Sequence, residues 1–247
     1  MPQHYFHIEG LSYGFLGIVV LFSYVCSTLA LVVMIRDGFR LKTYGMPPLG
    51  IVSMLAVCLI CVFGPFSGQS HLFFPKSEWK LTATWALDAV LLGVILFQYL
   101  RYAPRDLRLP PDRVEAFRLF VWGQLAVVVA GFWTFIVYYQ DYYVNEACPI
   151  AILIMTAGYV ASIHLRRDLR GLSLTAGWLL GISNLLLYGG VYAGNMSDPY
   201  PEAEYGYHFI YWLYGLTLAM NLGYVRLLAL HKRDARRSVL SAAGAIV

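Results

Sequence analysis

The stretch WALDAVLLGVILFQYLRYAP, residues 85–104, is an apolar run with one basic residue, Arg101, near its end and one carboxylate, Asp88, near its start. A helix needs about 20 mostly apolar residues to cross a lipid bilayer. The run therefore predicts a transmembrane helix over residues 81–100. Arginines just beyond a span are typical of its cytoplasmic end, so we expect the Asp88 end to face outward.

Six further segments have a similar length and composition. They cover residues 11–35, 47–66, 119–140, 149–165, 172–194 and 209–230. Of all 247 residues, 59% are hydrophobic and only 13% are charged, whereas a soluble domain is nearer about 45–50% apolar and about 25% charged. We predict an all-α integral membrane protein with seven transmembrane helices, formed by residues 1–247 as a single domain.

The distribution of basic residues predicts the orientation of the chain. Lys and Arg concentrate in the 1–2, 3–4 and 5–6 loops and in the C-terminal tail, whereas the opposite side holds only Lys76 and Lys80 and is rich in acids. Because cytoplasmic loops carry the excess of Lys and Arg, the N-terminus is expected outside and the C-terminus in the cytoplasm. The net charge of +4 then reflects topology, and no nucleic-acid partner is expected. We expect a multi-pass protein of the bacterial inner membrane.

Asp88 is the one carboxylate well inside a predicted span. Ionisable residues at membrane depth cost on the order of 3 kcal/mol on insertion scales and are functional candidates by default. At the helical rise, Asp88 lies about 10 Å in from the outer end of its helix. Burial disfavours the charged form, so a neutral Asp88 that can donate a proton is expected at pH 7. The structural alternative is a hydrogen bond to a Tyr, Ser or Asn of another helix.

Aromatic side chains crowd the outer half of the predicted bundle. Aromatic ring faces stabilise cations. A neutral acid, aromatic walls and the exclusion of water are what a proton-initiated carbocation cyclisation requires. Many of these rings must instead belong to the interfacial belt of a membrane protein. At the outer mouth, the aromatic-rich turn YYQDYYVNEACP, residues 138–149, adds two further acids, Asp141 and Glu146.

Four stretches resemble the small seven-helix membrane terpene cyclases of fungal meroterpenoid pathways and of bacterial pathways to prenylated indoles and diketopiperazines. They are YGMPPLGIVSMLAVC at 44–58, WALDAVLLGVILFQYLRYAP at 85–104, LRRDLRGLSLTAGW at 165–178 and LYGLTLAMNLGYVRLL at 213–228. The resemblance covers most of the chain. The best-matched residues are Trp85 with Asp88 and Gln98, and Arg170-Gly171 followed by Ser173 and Trp178.

The resemblance implies an enzyme of secondary metabolism that cyclises a lipophilic prenylated small molecule, such as a farnesylated indole or cyclodipeptide. Asp88 would be the general acid, and Asp141 or Glu146 would be a second acid or its orienting partner. The side chains expected to stabilise the cation are Trp85, Tyr139 and Trp212. No DDxxD-like cluster is visible in the sequence, so we expect neither a metal nor a cofactor.

The sequence departs from the family at both of the family's own acids. Where the family has a Glu in helix two this chain has Cys58, and where it has an Asp in helix seven this chain has Asn221. A thiol is too weak an acid to protonate an alkene, and an amide cannot donate a proton usefully. Asp88 is therefore the retained acid, and Cys58, Asn184 and Asn221 are expected to line the pocket.

A non-enzymatic function stays open as the alternative. Asp88 would then be an ion or substrate ligand, or part of a proton relay, in a small seven-helix transporter or sensor. Transporters are often built from internal repeats, and none is visible in the sequence. Polar side chains such as Asn184 and Asn221 are also more often structural links between helices than chemical groups. The sequence does not determine the oligomeric state.

Overall fold

A computed structural model describes residues 13–63, 79–139, 147–166, 169–195 and 204–244. These ranges form seven α-helices, as predicted. In chain order they are α1 Tyr13–Leu41, α2 Pro48–Phe63, α3 Trp79–Asp106, α4 Pro111–Tyr139, α5 Ala147–Leu165, α6 Leu174–Asn195 and α7 Glu204–Gly244. Pro48 and Pro111 occupy helix starts, where the missing N–H of proline costs little.

Several helices are longer than the predicted apolar spans. The largest difference is in α7, which continues to Gly244 although its apolar run ends near Leu230. Helix formation does not require an apolar sequence, and neither Gly nor Pro interrupts HKRDARRSVLSAA at 231–243. Hydropathy therefore located the span correctly but underestimated the length of the helix.

Five helices are long and apolar enough to cross a membrane, by length and composition. The qualifying segments are Leu21–Leu41, Ala83–Asp106, Pro111–Tyr138, Ala147–Leu165 and Trp212–Asp234. Two apolar segments, α2 and Leu174–Leu187 of α6, are shorter. Large apolar side chains on the outside of the bundle, such as Leu119 and Val127 of α4, are well exposed. Together these features indicate a multi-pass membrane protein.

The packing of the helices forms a ring. Helix α1 packs against α6 and α3, α7 packs against α5 and α6, and α2 packs against α3, α4 and α5. Following these contacts gives the closed order α1, α6, α7, α5, α2, α3, with α4 outside the ring against α2. Ten of the sixteen residues of α2 are buried, because this helix is covered on three sides.

Small residues let α2 and α5 approach closely. A Cβ atom added to Gly50 would lie 3.0 Å from the Cα atom of Met155. A Cβ atom added to Gly158 would lie 2.9 Å from Cβ of Pro47, just before α2. Helices in a membrane gain stability from close van der Waals packing rather than from burial of apolar surface out of water. These two glycines therefore set the α2–α5 distance.

Helices α1 and α3 run side by side in the same direction. Tyr24 of α1 lies near Thr84 of α3 at one end, and Gln98 Nε2 donates to the Ile35 carbonyl further along, at 2.7 Å. Residue numbers thus rise together on the two helices. Successive transmembrane helices cross the bilayer in alternating directions, so the first and third helices are expected to run in the same direction.

An arginine-centred cluster ties the loops together at the opposite end of α3 from Asp88. The Arg166 guanidinium donates to the Tyr44 carbonyl at 3.1 Å and to the Thr43 hydroxyl at 3.1 Å. It also lies over the Tyr44 ring, 4.2 Å from the centroid. The Thr43 hydroxyl in turn donates to Asp106 at 3.0 Å. We call Thr43, Tyr44, Asp106 and Arg166 the Arg166 cluster; it joins the α1–α2 loop to the ends of α3 and α5.

Burial raises the pKa of the Tyr44 phenol, although the neighbouring Arg166 guanidinium acts in the opposite direction. The ring therefore stays neutral at physiological pH, and the cation contacts a π face rather than a phenolate. A cation over an aromatic face contributes from about 0.5 kcal/mol at exposed sites to about 2 kcal/mol where it is desolvated.

Gly171 packs directly against the Arg166 cluster, and we expect Gly171→Ala to destabilise the fold. Its φ is +84°, and an added Cβ would lie 2.6 Å from Thr43 Cγ2 and 2.8 Å from the Tyr44 carbonyl oxygen. Backbone strain of this kind costs about 1–3 kcal/mol, so the melting temperature in detergent should fall. Gly123→Ala in α4, where nothing lies within 4 Å, is the matched control. Equal melting temperatures for the two variants would contradict the prediction.

Candidate functional site

Asp88 lies on the face of α3 that meets α1 and α2. Its residue exposure is only 8%. Thr28 of α1 lies near the carboxyl group. Among the described residues, the Asp88 Oδ1 atom is buried and has no hydrogen-bond partner. One oxygen of the acid is thus left available inside the bundle.

Two aromatic rings stand beside this acid. Tyr24 of α1 and Trp85 of α3 form a T-shaped pair, with ring centroids 6.3 Å apart and planes at 86°. Tyr24 also interacts electrostatically with Asp88, so the pair and the acid belong to one site. Trp85 is buried, and its Nε1 atom has no partner within the part of the chain that the structure describes.

The Cys58 thiol of α2 also belongs to this site. Cys58 is fully buried and interacts electrostatically with Asp88 and with Cys61 and Cys148. None of the four cysteines forms a disulfide. Within the described residues, no three His, Cys, Asp or Glu side chains come together as possible metal ligands. We call Tyr24, Thr28, Cys58, Thr84, Trp85 and Asp88 the Asp88 cluster.

The structure brings only part of the predicted site together. Cys58 and Trp85 lie beside Asp88, as described above. Asn184 of α6 and Asn221 of α7 are also buried, but α7 lies across the ring from α3. Asn221 lines a separate groove of about 140 Å³ between α6 and α7. Both polar atoms of its amide lack partners within the described ranges.

The remaining predicted residues lie on the surface of the bundle or outside the described residues. Trp212 is 60% exposed on the outside of α7, so the structure does not bring it to the acid. Tyr139 ends α4, and its side chain is not among those described. Asp141 and Glu146 lie outside the described residues as well, and their roles stay predictions.

Comparison of the chain with protein-family models, with curated proteins and with solved structures finds no match.

Sequence reasoning missed three members of the Asp88 cluster: Tyr24, Thr28 and Thr84. A signal for them was present, because Tyr24 and Thr28 are four residues apart, as are Thr84 and Asp88. Side chains at this spacing share one face of a helix. Each pair predicts a polar stripe along one side of an otherwise apolar helix. The sequence does not show, however, that α1 and α3 are neighbours, so it cannot predict that the two stripes face each other.

Proposed function

We propose that this protein is a membrane-bound terpene cyclase in which Asp88 starts the cyclisation of a prenylated small molecule. One observation supports this function best. Asp88 is buried within the bundle, has a free oxygen, and stands beside a pair of aromatic rings. A lipophilic isoprenoid would reach such a site from the bilayer rather than from water.

The proposed first step is a proton transfer. The O–H bond of the protonated Asp88 breaks and a C–H bond forms at the terminal alkene, which leaves a carbocation on the substrate. The next alkene attacks this cation and closes a ring, and loss of a proton at the end regenerates the acid. Tyr24 and Trp85 can stabilise the developing positive charge through their ring faces. The buried apolar surroundings delay quenching by water.

The direct test is product formation in isolated membranes. Membranes that contain the protein are supplied with a farnesylated indole or a farnesylated cyclodipeptide. We expect a product of unchanged mass and altered chromatographic retention, because cyclisation is an isomerisation. Membranes without the protein serve as the control. Absence of conversion with both acceptor classes would count against the cyclase.

We also propose that the N-terminus lies outside the cell and the C-terminus in the cytoplasm, in a bacterial inner membrane. The support is the concentration of Lys and Arg in alternate loops. Green fluorescent protein fused to the C-terminus should fluoresce, and alkaline phosphatase inserted at residues 140–146 should be active. The opposite pattern at both sites would contradict this orientation.

A proton relay is the second candidate function, and one feature of the α1–α3 interface favours it. Polar side chains recur along this interface, from Thr28 and Asp88 through Gln98 to Thr43 and Asp106 at its other end. Proton flux into liposomes that contain the purified protein distinguishes the two functions. A flux that disappears in Gln98→Leu would support a relay, whereas a cyclase should give none.

A further inference from the structure

Two side chains of the Asp88 cluster each carry a buried polar atom without a hydrogen-bond partner among the described residues. The Trp85 Nε1–H group can only donate a hydrogen bond, and the Asp88 Oδ1 atom can accept one. Both atoms are fully buried, and neither has a partner among the residues that the structure describes. A buried donor or acceptor without a partner destabilises the folded protein, so two such atoms at one site point to a bound group.

The two atoms belong to one site because of the geometry of α3. Trp85 and Asp88 are three residues apart, and side chains at this spacing are neighbours on a helix surface. Tyr24 of α1 contacts both, through its ring to Trp85 and electrostatically to Asp88. Tyr24 and Thr28 are the nearby hydroxyl-bearing side chains of α1, and among the described residues neither forms a hydrogen bond with the indole N–H.

The hydrogen-bonding pattern of these two side chains selects the chemistry of a group that could bind between them. With Asp88 ionised, the group must accept from the indole and donate to the carboxylate. With Asp88 protonated, it can accept from both. A carbonyl oxygen fits only the second state, and an ammonium group cannot accept from the indole at all. A hydroxyl oxygen fits both states, because it can donate and accept.

We propose that Trp85 and Asp88 bind one hydroxyl oxygen, supplied either by a water molecule or by a lipophilic alcohol. A buried water needs two to four polar partners, and these two side chains provide the minimum. Tyr24, Thr28 and Thr84 at the rim are only half-buried, and Leu87 and Val90 on α3 are exposed beside it. An alcohol could therefore enter from the bilayer between α1 and α3. This binding is independent of the proposed cyclisation, since it requires no reaction.

The test reads the hydrogen bond of the Trp85 indole directly. Ultraviolet resonance Raman spectra of the purified protein in lipid nanodiscs contain a band that reports hydrogen bonding of indole N–H groups. The difference between the unmodified protein and Trp85→Phe isolates this one tryptophan among six, and Trp85→Tyr replaces it if that variant does not fold. Spectra are recorded without additive, with 1-decanol and with decane.

We expect a hydrogen-bonded Trp85 signal that is lost in Asp88→Leu and retained in Cys26→Ala, a control on α1 outside the Asp88 cluster. A bonded signal without additive assigns water as the source. A signal that becomes bonded only with decanol, and not with decane, assigns an alcohol. An indole without a hydrogen bond under all three conditions overturns the proposal, as does a bonded signal that persists in Asp88→Leu. Failure of the cyclisation assay would leave these spectra unaffected.

Discussion

Replacement of Asp88 by asparagine is expected to lower the rate of cyclisation by at least about a hundredfold, because general acid catalysis contributes about 10²- to 10⁴-fold. Asparagine has nearly the same shape as aspartate but has no acidic proton. The carboxyl group of Asp88 is buried with one oxygen free, and no other carboxylate is described inside the Asp88 cluster. The measurement is the initial rate of product formation from a farnesylated acceptor in membranes.

The design separates chemistry from folding. Asp88→Glu keeps an acid and should retain part of the activity, whereas Cys58→Ala, which changes a fully buried neighbour, should retain most of it. All variants are compared at equal amounts of folded protein, judged by their melting temperatures in detergent. Full activity in Asp88→Asn would remove Asp88 from the mechanism. Activity in Asp141→Asn and Glu146→Gln as well would exclude acid catalysis by any of the three.

Replacement of Arg166 by methionine is expected to lower the free energy of unfolding by about 2–4 kcal/mol, because hydrogen bonds to charged groups contribute about 1.5–3 kcal/mol. The guanidinium has three acceptors: the Tyr44 and Arg170 carbonyls and the Thr43 hydroxyl. Its side chain is only 13% exposed, so water would replace these contacts poorly. Methionine keeps an unbranched apolar stem but removes every donor. Thermal unfolding in detergent, followed by intrinsic fluorescence, measures the loss.

Two companion variants test the explanation. Arg166→Lys keeps the charge but cannot donate to three separated acceptors from a planar fork, so an intermediate loss is expected. Arg36→Met removes a guanidinium that is 67% exposed and pairs with its neighbour Asp37, and its effect should stay within about 0.5 kcal/mol. A loss in Arg36→Met as large as that in Arg166→Met would mean that the cluster contributes no specific stability.

The positions of the helices could be predicted from the sequence because each apolar run is a local property. Residues 149–165, for example, were assigned to a helix that the structure places at Ala147–Leu165. The difference between the predicted span and the observed helix was largest at the end of α7, because the segment HKRDARR is polar and still helical. Hydropathy indicates where a chain can enter a bilayer, and a helix can continue beyond that region.

The candidate site could be predicted only in part, for a related reason. Asp88 was identified because a lone acid in an apolar helix is visible in the sequence, and Trp85 is one turn away on the same helix. Cys58 and Asn221 are both expected to line the pocket, and the structure brings only Cys58 to Asp88. The position of a residue along its helix does not determine where that helix lies within the membrane plane. Asn221 lies on α7, across the ring from α3.

By itself, the sequence determined that this chain consists of apolar helices and that one of them carries a deep acid. The length of each apolar run predicts a helix, and the position of Asp88 within its run predicts the depth of the acid. The tertiary structure decided which helices are neighbours and how each is rotated about its axis. That choice depends on close contacts such as Gly50 against Met155 and on bonds between distant residues such as Thr43 and Asp106. Only this packing brings Tyr24 and Thr28 to Asp88, which turns a lone acid in WALDAVLLG into a site.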